Sequence, residues 1–156
     1  MLPPHHLKLV LVEPEIPQNT GNIARLCAAT GAALHLVRPL GFFLTNKHFR
    51  RAGMDYLANV PITLHDSLPD LLALIRESPV VLSSGVRGIP HWQVPFAPDA
   101  WIFLGKESAG LPQPLLDRFP GNTASIPMLA GTRGLNISTA AGILLYEALR
   151  QIASLQ

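Results

Sequence analysis

One cysteine stands among the 156 residues, Cys27, so no disulfide can form within the chain. Cross-linked secreted scaffolds are excluded, and a reducing compartment is the natural setting. In such a compartment the sequon-like Asn136-Ile137-Ser138 has no meaning for glycosylation. No apolar run approaches the roughly 20 residues a membrane helix needs. The opening Met1-Leu2-Pro3-Pro4-His5-His6 lacks the basic start and long apolar stretch of a signal peptide. The expectation is a cytoplasmic protein with no membrane partner. The six histidines show neither metal-ligand spacing nor a cysteine partner, so no metal site is expected. There is no repeat, no low-complexity tract and no composition shift that would mark a linker. The chain reads as a single domain over 1–156, long enough to bury roughly 70% of its unfolded surface.

Charge is sparse as well. Only 14% of residues are charged against 48% hydrophobic, a rich balance that leaves apolar surface for a partner to cover. The net charge of +2 permits a nucleic-acid partner without demanding one.

Short apolar runs at Leu7 to Glu13, Ala33 to Val37, Val80 to Ser84, Trp101 to Leu104 and Thr123 to Ile126 have the length of strands buried on both faces. Helical patterns lie between them. Gly21 to Thr30 has Thr20 as N-cap and Gly31 as a stop; Ser67 to Glu77 carries Leu68, Leu71, Leu72 and Ile75 on one side. Ser138 to Ser154 presents Ala141, Leu144, Leu145, Ala148, Leu149 and Ile152 as a stripe that suits a sheet or a second subunit equally. Gly85 to Ala100, rich in proline, reads as an ordered surface loop. Alternation of this kind predicts an α/β fold, a mostly parallel sheet with helices on both faces.

Three strand-to-helix junctions concentrate Gly, Asn and useful polar groups, and ligands of parallel sheets gather at such junctions. In Pro17 to Arg25, Asn19 and Asn22 flank a helix start with Arg25 one turn in, an arrangement for binding an anion or simply for capping. Phe103 to Pro112 is no phosphate-binding P-loop: Glu107 follows Gly105-Lys106 where Ser or Thr is required, and Ala100 stands where the first glycine belongs. There Gly105 and Gly110 allow close backbone approach to a ligand, and Glu107 offers a carboxylate. Between Ile126 and Ser138, backbone groups suit the edge of an adenine, with Ile126 and Leu135 on its faces. Lys47, His48, Arg50 and Arg51 cluster beside Phe43 and Phe49, as phosphate neutralisation next to base stacking requires, or as a solvated helical face would. Cys27, on the apolar side of its helix, reads as a core residue.

Taken together, Leu11 to Pro17, Asn19 to Arg25, Arg51 to Tyr56, Gly105 to Pro112 and Ile126 to Glu147 resemble the SPOUT superfamily of RNA methyltransferases. The resemblance covers nearly the whole chain and is nearest to the minimal TrmL branch, the tRNA wobble-position ribose 2′-O-methyltransferases. It implies a C-terminal trefoil knot, which general topology rules alone argue against. It further implies S-adenosyl-L-methionine bound by Leu82, Ser83, Gly105, Ile126, Met128, Gly134 and Leu135. Arg25, Asn136, Ser138 and Glu107 become the catalytic set, and Asn19, Lys47, Arg50 and Arg51 the RNA-binding set. The implied assembly is a homodimer in which Arg25 of one subunit works beside the cofactor of the other. The implied substrate is the cytidine or uridine at the tRNA wobble position. The alternatives are ribosomal RNA, disfavoured by the lack of an appended RNA-binding domain, and a non-catalytic relative that keeps the pockets. Two positions depart from the branch: Ala109 stands where Arg is frequent, and Thr139 where Asn is frequent.

Overall fold

The computed structural model describes residues 1–45, 47, 48, 51 and 60–155. Its centre is a seven-stranded sheet in which every pairing is parallel. In chain order the strands are β1 (Lys8–Val12), β2 (Ala33–Val37), β3 (Ile62–His65), β4 (Val80–Ser83), β5 (Ile89–Pro90), β6 (Trp101–Leu104) and β7 (Thr123–Ser125). Their order across the sheet is β3-β2-β1-β6-β4-β7-β5. Covering it, among the described residues, are the helices α1 (Pro17–Thr30), α2 (Leu68–Ile75), α3 (Gln113–Arg118) and α4 (Ile137–Ala153).

Alternating strand residues feed two separate cores. Leu9 and Leu11 face the layer of α1 and α4, meeting Ile23, Cys27, Leu144 and Leu145. Val10 and Val12 face the opposite layer, with Leu71 and Ile75 of α2 and Leu115 of α3. Burial on both faces is what makes these runs continuously apolar rather than alternating. The α4 stripe thus has a definite partner: Leu144, Leu145 and Ala148 are fully buried against the chain's own sheet, so this stripe is no subunit interface.

Several sequence expectations shift. Helix α1 begins at Pro17, whose fixed φ and missing N–H suit a first turn, and Ile16 rather than Thr20 occupies the N-cap. Thr20 is buried inside the helix; Asn19 lies in its first turn, while Asn22 and Arg25 lie further in, Arg25 about two turns from the start. The stop at Gly31 is as expected, with φ 82 and its N–H donating to the Cys27 carbonyl at 2.8 Å. Strands β3 and β5 and helix α3 were not read from the sequence: β3 is only partly buried before His65, β5 is two residues ending in Pro90, and α3, at six residues, is too short to show a helical stripe. The Gly85 to Ala100 segment is more than a surface loop: it contributes β5, a 3₁₀ turn at His91–Gln93, and the buried side chains Val94 and Phe96.

From β1 the chain moves outward through β2 and β3, then crosses to build β4, β6, β7 and β5 on the other side. The loops leaving the carboxyl ends of β1 and β6 therefore diverge, opening the crevice in which open parallel sheets bind ligands.

Candidate active site

At that crevice the two diverging loops are tied together by consecutive residues. The Lys106 ammonium donates to Glu13 Oε2 at 3.1 Å. Glu107 Oε2 accepts the Glu15 N–H at 2.8 Å, and its Oε1 accepts the Ile16 N–H at 3.1 Å and Asn19 Nδ2 at 3.2 Å. The N–H of Ser108 donates to Glu15 Oε2 and its hydroxyl to Glu15 Oε1, both at 2.8 Å. Those Ser108 bonds favour the ionised form and hold the Glu15 carboxyl below the ordinary carboxylate range. Glu13 takes φ 53, an uncommon conformation for a residue with a side chain and one that collects at functional sites.

The network continues into α4. Asn136 Nδ2 donates to Asn19 Oδ1 at 2.9 Å, while Asn136 Oδ1 accepts both the N–H of Ser138 at 2.8 Å and its hydroxyl at 2.6 Å. Asn136 is thus the N-cap of α4, using its amide oxygen to satisfy a helix-start donor. A chain of polar contacts runs from Glu107 through Asn19 and Asn136 to Ser138, joining three elements remote in sequence.

Above these loops lies a cleft of about 740 Å³, within the range of small-molecule sites. Ser83, Gly105, Glu107, Ile126, Met128, Gly134, Leu135 and Asn136 all line it. Leu82 does not: it is fully buried among the side chains under α2 and α3, so its neighbour Ser83 carries the β4 contribution. The need for glycine at 105 is also internal. A Cβ there would stand 1.9 Å from the Gly110 carbonyl carbon, so the residue is demanded by the fold of its own loop before any ligand arrives.

Arg25 and Ser138 line a second, shallower depression of about 410 Å³ with Asn22, Leu26, Ala29, Thr139 and Gly142. Arg25 is exposed and shares no lining with the cofactor-sized cleft; Asn136 and Ser138, two residues apart, separate the two hollows. Asn19, read from sequence as an RNA contact, is only 5% exposed, and its amide is spent on Glu107 and Asn136. Lys47 and Arg51 are exposed and Phe43 is 84% exposed, while Arg50 and Phe49 lie outside the described residues. Glu15 and Ser108 were missed by sequence reasoning: an acid beside prolines and a serine in a turn carry no motif, and only the tertiary contact gives them meaning. Among the described residues no group of three or more His, Cys, Asp or Glu is placed to hold a metal. No described helix is long and apolar enough to cross a membrane.

An all-parallel sheet with a cleft of cofactor size at its switch point, walled by three strand-to-helix loops, defines an α/β ligand-binding protein built on the doubly wound principle. The chain belongs to the SpoU rRNA Methylase family, whose model matches residues 6–146. It is 40% identical over 144 residues to the tRNA (cytidine(34)-2′-O)-methyltransferase of Methylovorus glucosotrophus, spanning 92% of this chain and 94% of that one. A solved structure described as giving insights into the 2-OH methylation of C/U34 on tRNA superposes with a TM-score of 0.91 at 44% identity. It covers 97% of this chain and 99% of that one. The AdoMet-bound rRNA methyltransferase from Sinorhizobium meliloti matches at 27% identity and a TM-score of 0.85, over 96% of this chain but 58% of its own.

Proposed function

We propose that this protein transfers a methyl group from S-adenosylmethionine to the ribose 2′-hydroxyl of the wobble nucleotide, cytidine or uridine 34, of tRNA. The observation that carries the reading is the near end-to-end match to relatives named for that reaction, set on a fold whose cleft suits the cofactor. A ribosomal RNA substrate is the second reading, favoured by the match to the AdoMet-bound rRNA methyltransferase but at 27% identity against 44% for the tRNA C/U34 structure.

The residues present fit the cofactor. Ile126, Met128 and Leu135 offer apolar surface for a purine, and residues 126–136 hold no helix or strand, leaving backbone donors and acceptors for its edge. Gly134 leaves open space where a side chain would stand. When bound, the cofactor supplies an electrophilic methyl on a sulfonium, and no metal is required for its displacement.

The chain's own task is to present the hydroxyl in near-attack geometry and assist its deprotonation. The Ser138 hydroxyl donates its proton to Asn136, so its lone pairs remain to accept a bond from a substrate hydroxyl. Arg25, whose planar fork can hold two acceptors in one geometry, orients the ribose and its phosphate rather than serving as the base. Glu107 acts at one remove by holding the β1 and β6 loops, and Asn19 passes that order on to Asn136. Lys47, Arg50 and Arg51 beside Phe43 are assigned to the tRNA backbone and its bases.

The working form in this reading is a homodimer in the cytoplasm. With the α4 stripe buried, the interface falls on the exposed side of α1 and α4, around Asn22, Arg25, Ala29 and Thr139, where Arg25 of one subunit meets the cleft of the other. The trefoil knot also belongs to the proposal. Its support is the position of β7, inserted between the earlier strands β4 and β5.

Incubation with methyl-labelled cofactor and tRNA lacking the modification, followed by digestion to nucleosides, is the test. Label is expected in 2′-O-methylcytidine or 2′-O-methyluridine at position 34. Cofactor binding without transfer to any RNA would favour the non-catalytic relative, and transfer to ribosomal RNA alone would overturn the tRNA assignment.

A further inference from the structure

Glu15 is not one of the residues assigned above to cofactor, ribose or RNA, yet the wall of the cleft depends on it. Its carboxylate accepts both donors of Ser108, and its own N–H is held by Glu107. The two acids thus grip each other's loops reciprocally. Ser108 stands in the middle of the segment from Gly105 to Leu111, every residue of which lines the cleft. That segment folds back on itself through the Gly110 N–H to Lys106 carbonyl bond at 2.8 Å, so what holds Ser108 holds the whole turn. The backbone of Glu15 is gripped from its other side. A Cβ on Gly41 would stand 2.8 Å from the Glu15 Cα, and the Gly41 N–H donates to the Pro14 carbonyl at 2.9 Å. Glu15 cannot drift away from the loop it supports.

We infer that Glu15, through Ser108, is a positioning residue that preforms the 105–111 wall of the cofactor cleft, and so governs affinity for S-adenosylmethionine rather than for tRNA. The inference rests on the proposed methyl-transfer reading. A loop held by bonds to an ionised acceptor needs no ordering when ligand arrives, and preorganisation of that kind appears as affinity.

The test compares Glu15→Ala, Glu15→Gln, Ser108→Ala and the Glu15→Ala/Ser108→Ala double variant with the parent chain. Ser108 is exposed, so its replacement leaves the core untouched. Two readouts are taken: hydrogen exchange across 105–111 in the cofactor-free chain, and separate KM values for cofactor and tRNA. Glu15→Ala is expected to speed exchange in that segment alone and to raise the cofactor KM about tenfold, the scale of losing bonds to a charged group. The KM for tRNA stays within about twofold, Glu15→Gln falls between, and the double variant is no worse than Glu15→Ala, because both changes remove one interaction. An unchanged cofactor KM, with or without faster exchange, overturns the inference, as does uniform acceleration of exchange over the whole sheet or additive losses in the double variant. A parent chain that neither binds cofactor nor methylates RNA would instead fail the functional reading on which the inference stands.

Discussion

At the scale of single residues, the division of labour between Arg25 and its neighbours follows from where each lies. Asn19 and Asn136 have their amides engaged with each other and with Glu107 and Ser138, so they order the site. Arg25, exposed beside Ser138, is the residue the proposal assigns to the substrate ribose. Arg25→Ala is expected to leave cofactor affinity nearly unchanged while lowering methylation by about two orders of magnitude or more, since misplaced reactants lose effective molarity. Arg25→Lys should fail as well, because an ammonium keeps the charge but lacks the planar fork that holds two acceptors in one geometry. Single-turnover rates beside calorimetric cofactor titration check both; near-normal turnover in Arg25→Lys would mean that charge alone suffices. Cys27 shows the opposite case. Burial pushes its thiol up to about 12, so it is inert core, as its place on the helix predicts.

Among the elements, the β2–β3 side of the sheet carries a titratable weak point. His35 Nδ1 and His65 Nε2 lie 2.9 Å apart and share one proton between them, with the Trp101 ring 4.6 Å from that of His35. Desolvation first, then the charges of His65 and Lys8, lower the His35 pKa to about 4 from 6.5. His65 is lowered by its burial, against an opposing pull from Asp70. The unfolded chain takes up protons near pH 6.5 that the folded chain refuses until about 4, so this contribution to stability is complete above 6.5 and is lost progressively as pH falls toward 4. Urea unfolding between pH 7.5 and 5 should show a falling midpoint in the parent and a flatter one in a His35→Phe/His65→Leu chain. Parallel slopes would show that the pair does not govern this dependence. The pair was invisible in the sequence, since two histidines 30 residues apart become neighbours only through the register of β2 on β3.

For the whole molecule, the decisive question is whether one site draws on two subunits. Within one chain Arg25 and the cofactor-sized cleft occupy separate hollows, so the proposed dimer completes the site. Mixing Arg25→Ala chains with Gly134→Phe chains, each inactive alone, should return about half of the sites in every mixed dimer, and so about a quarter of all sites in an equal mixture. Mixed dimers that exchange subunits yet stay inactive would show that Arg25 serves its own subunit. Ala29→Glu, on the exposed side of α1, is expected to give a folded monomer in sedimentation. Leu145→Glu instead buries a charge in the sheet-facing core and should unfold the chain.

What the sequence determined by itself was the α/β alternation, the strands β1, β2, β4, β6 and β7, the three Gly- and Asn-rich strand-to-helix junctions and the family resemblance. Those features are local: apolar runs of a given length, glycine at a stop, and polar residues in a given order. Tertiary structure alone decided that the α4 stripe faces the sheet, because an amphipathic pattern is the same whichever surface it meets. It also decided that Asn19 is an internal link, that Gly105 answers to Gly110, and that Glu15 and Ser108 join two loops 93 residues apart. The links from Glu107 to Asn19 and from Glu15 to Ser108 depend on the crossover that sets β1 beside β6. Sheet order is a long-range choice that no short window of residues contains.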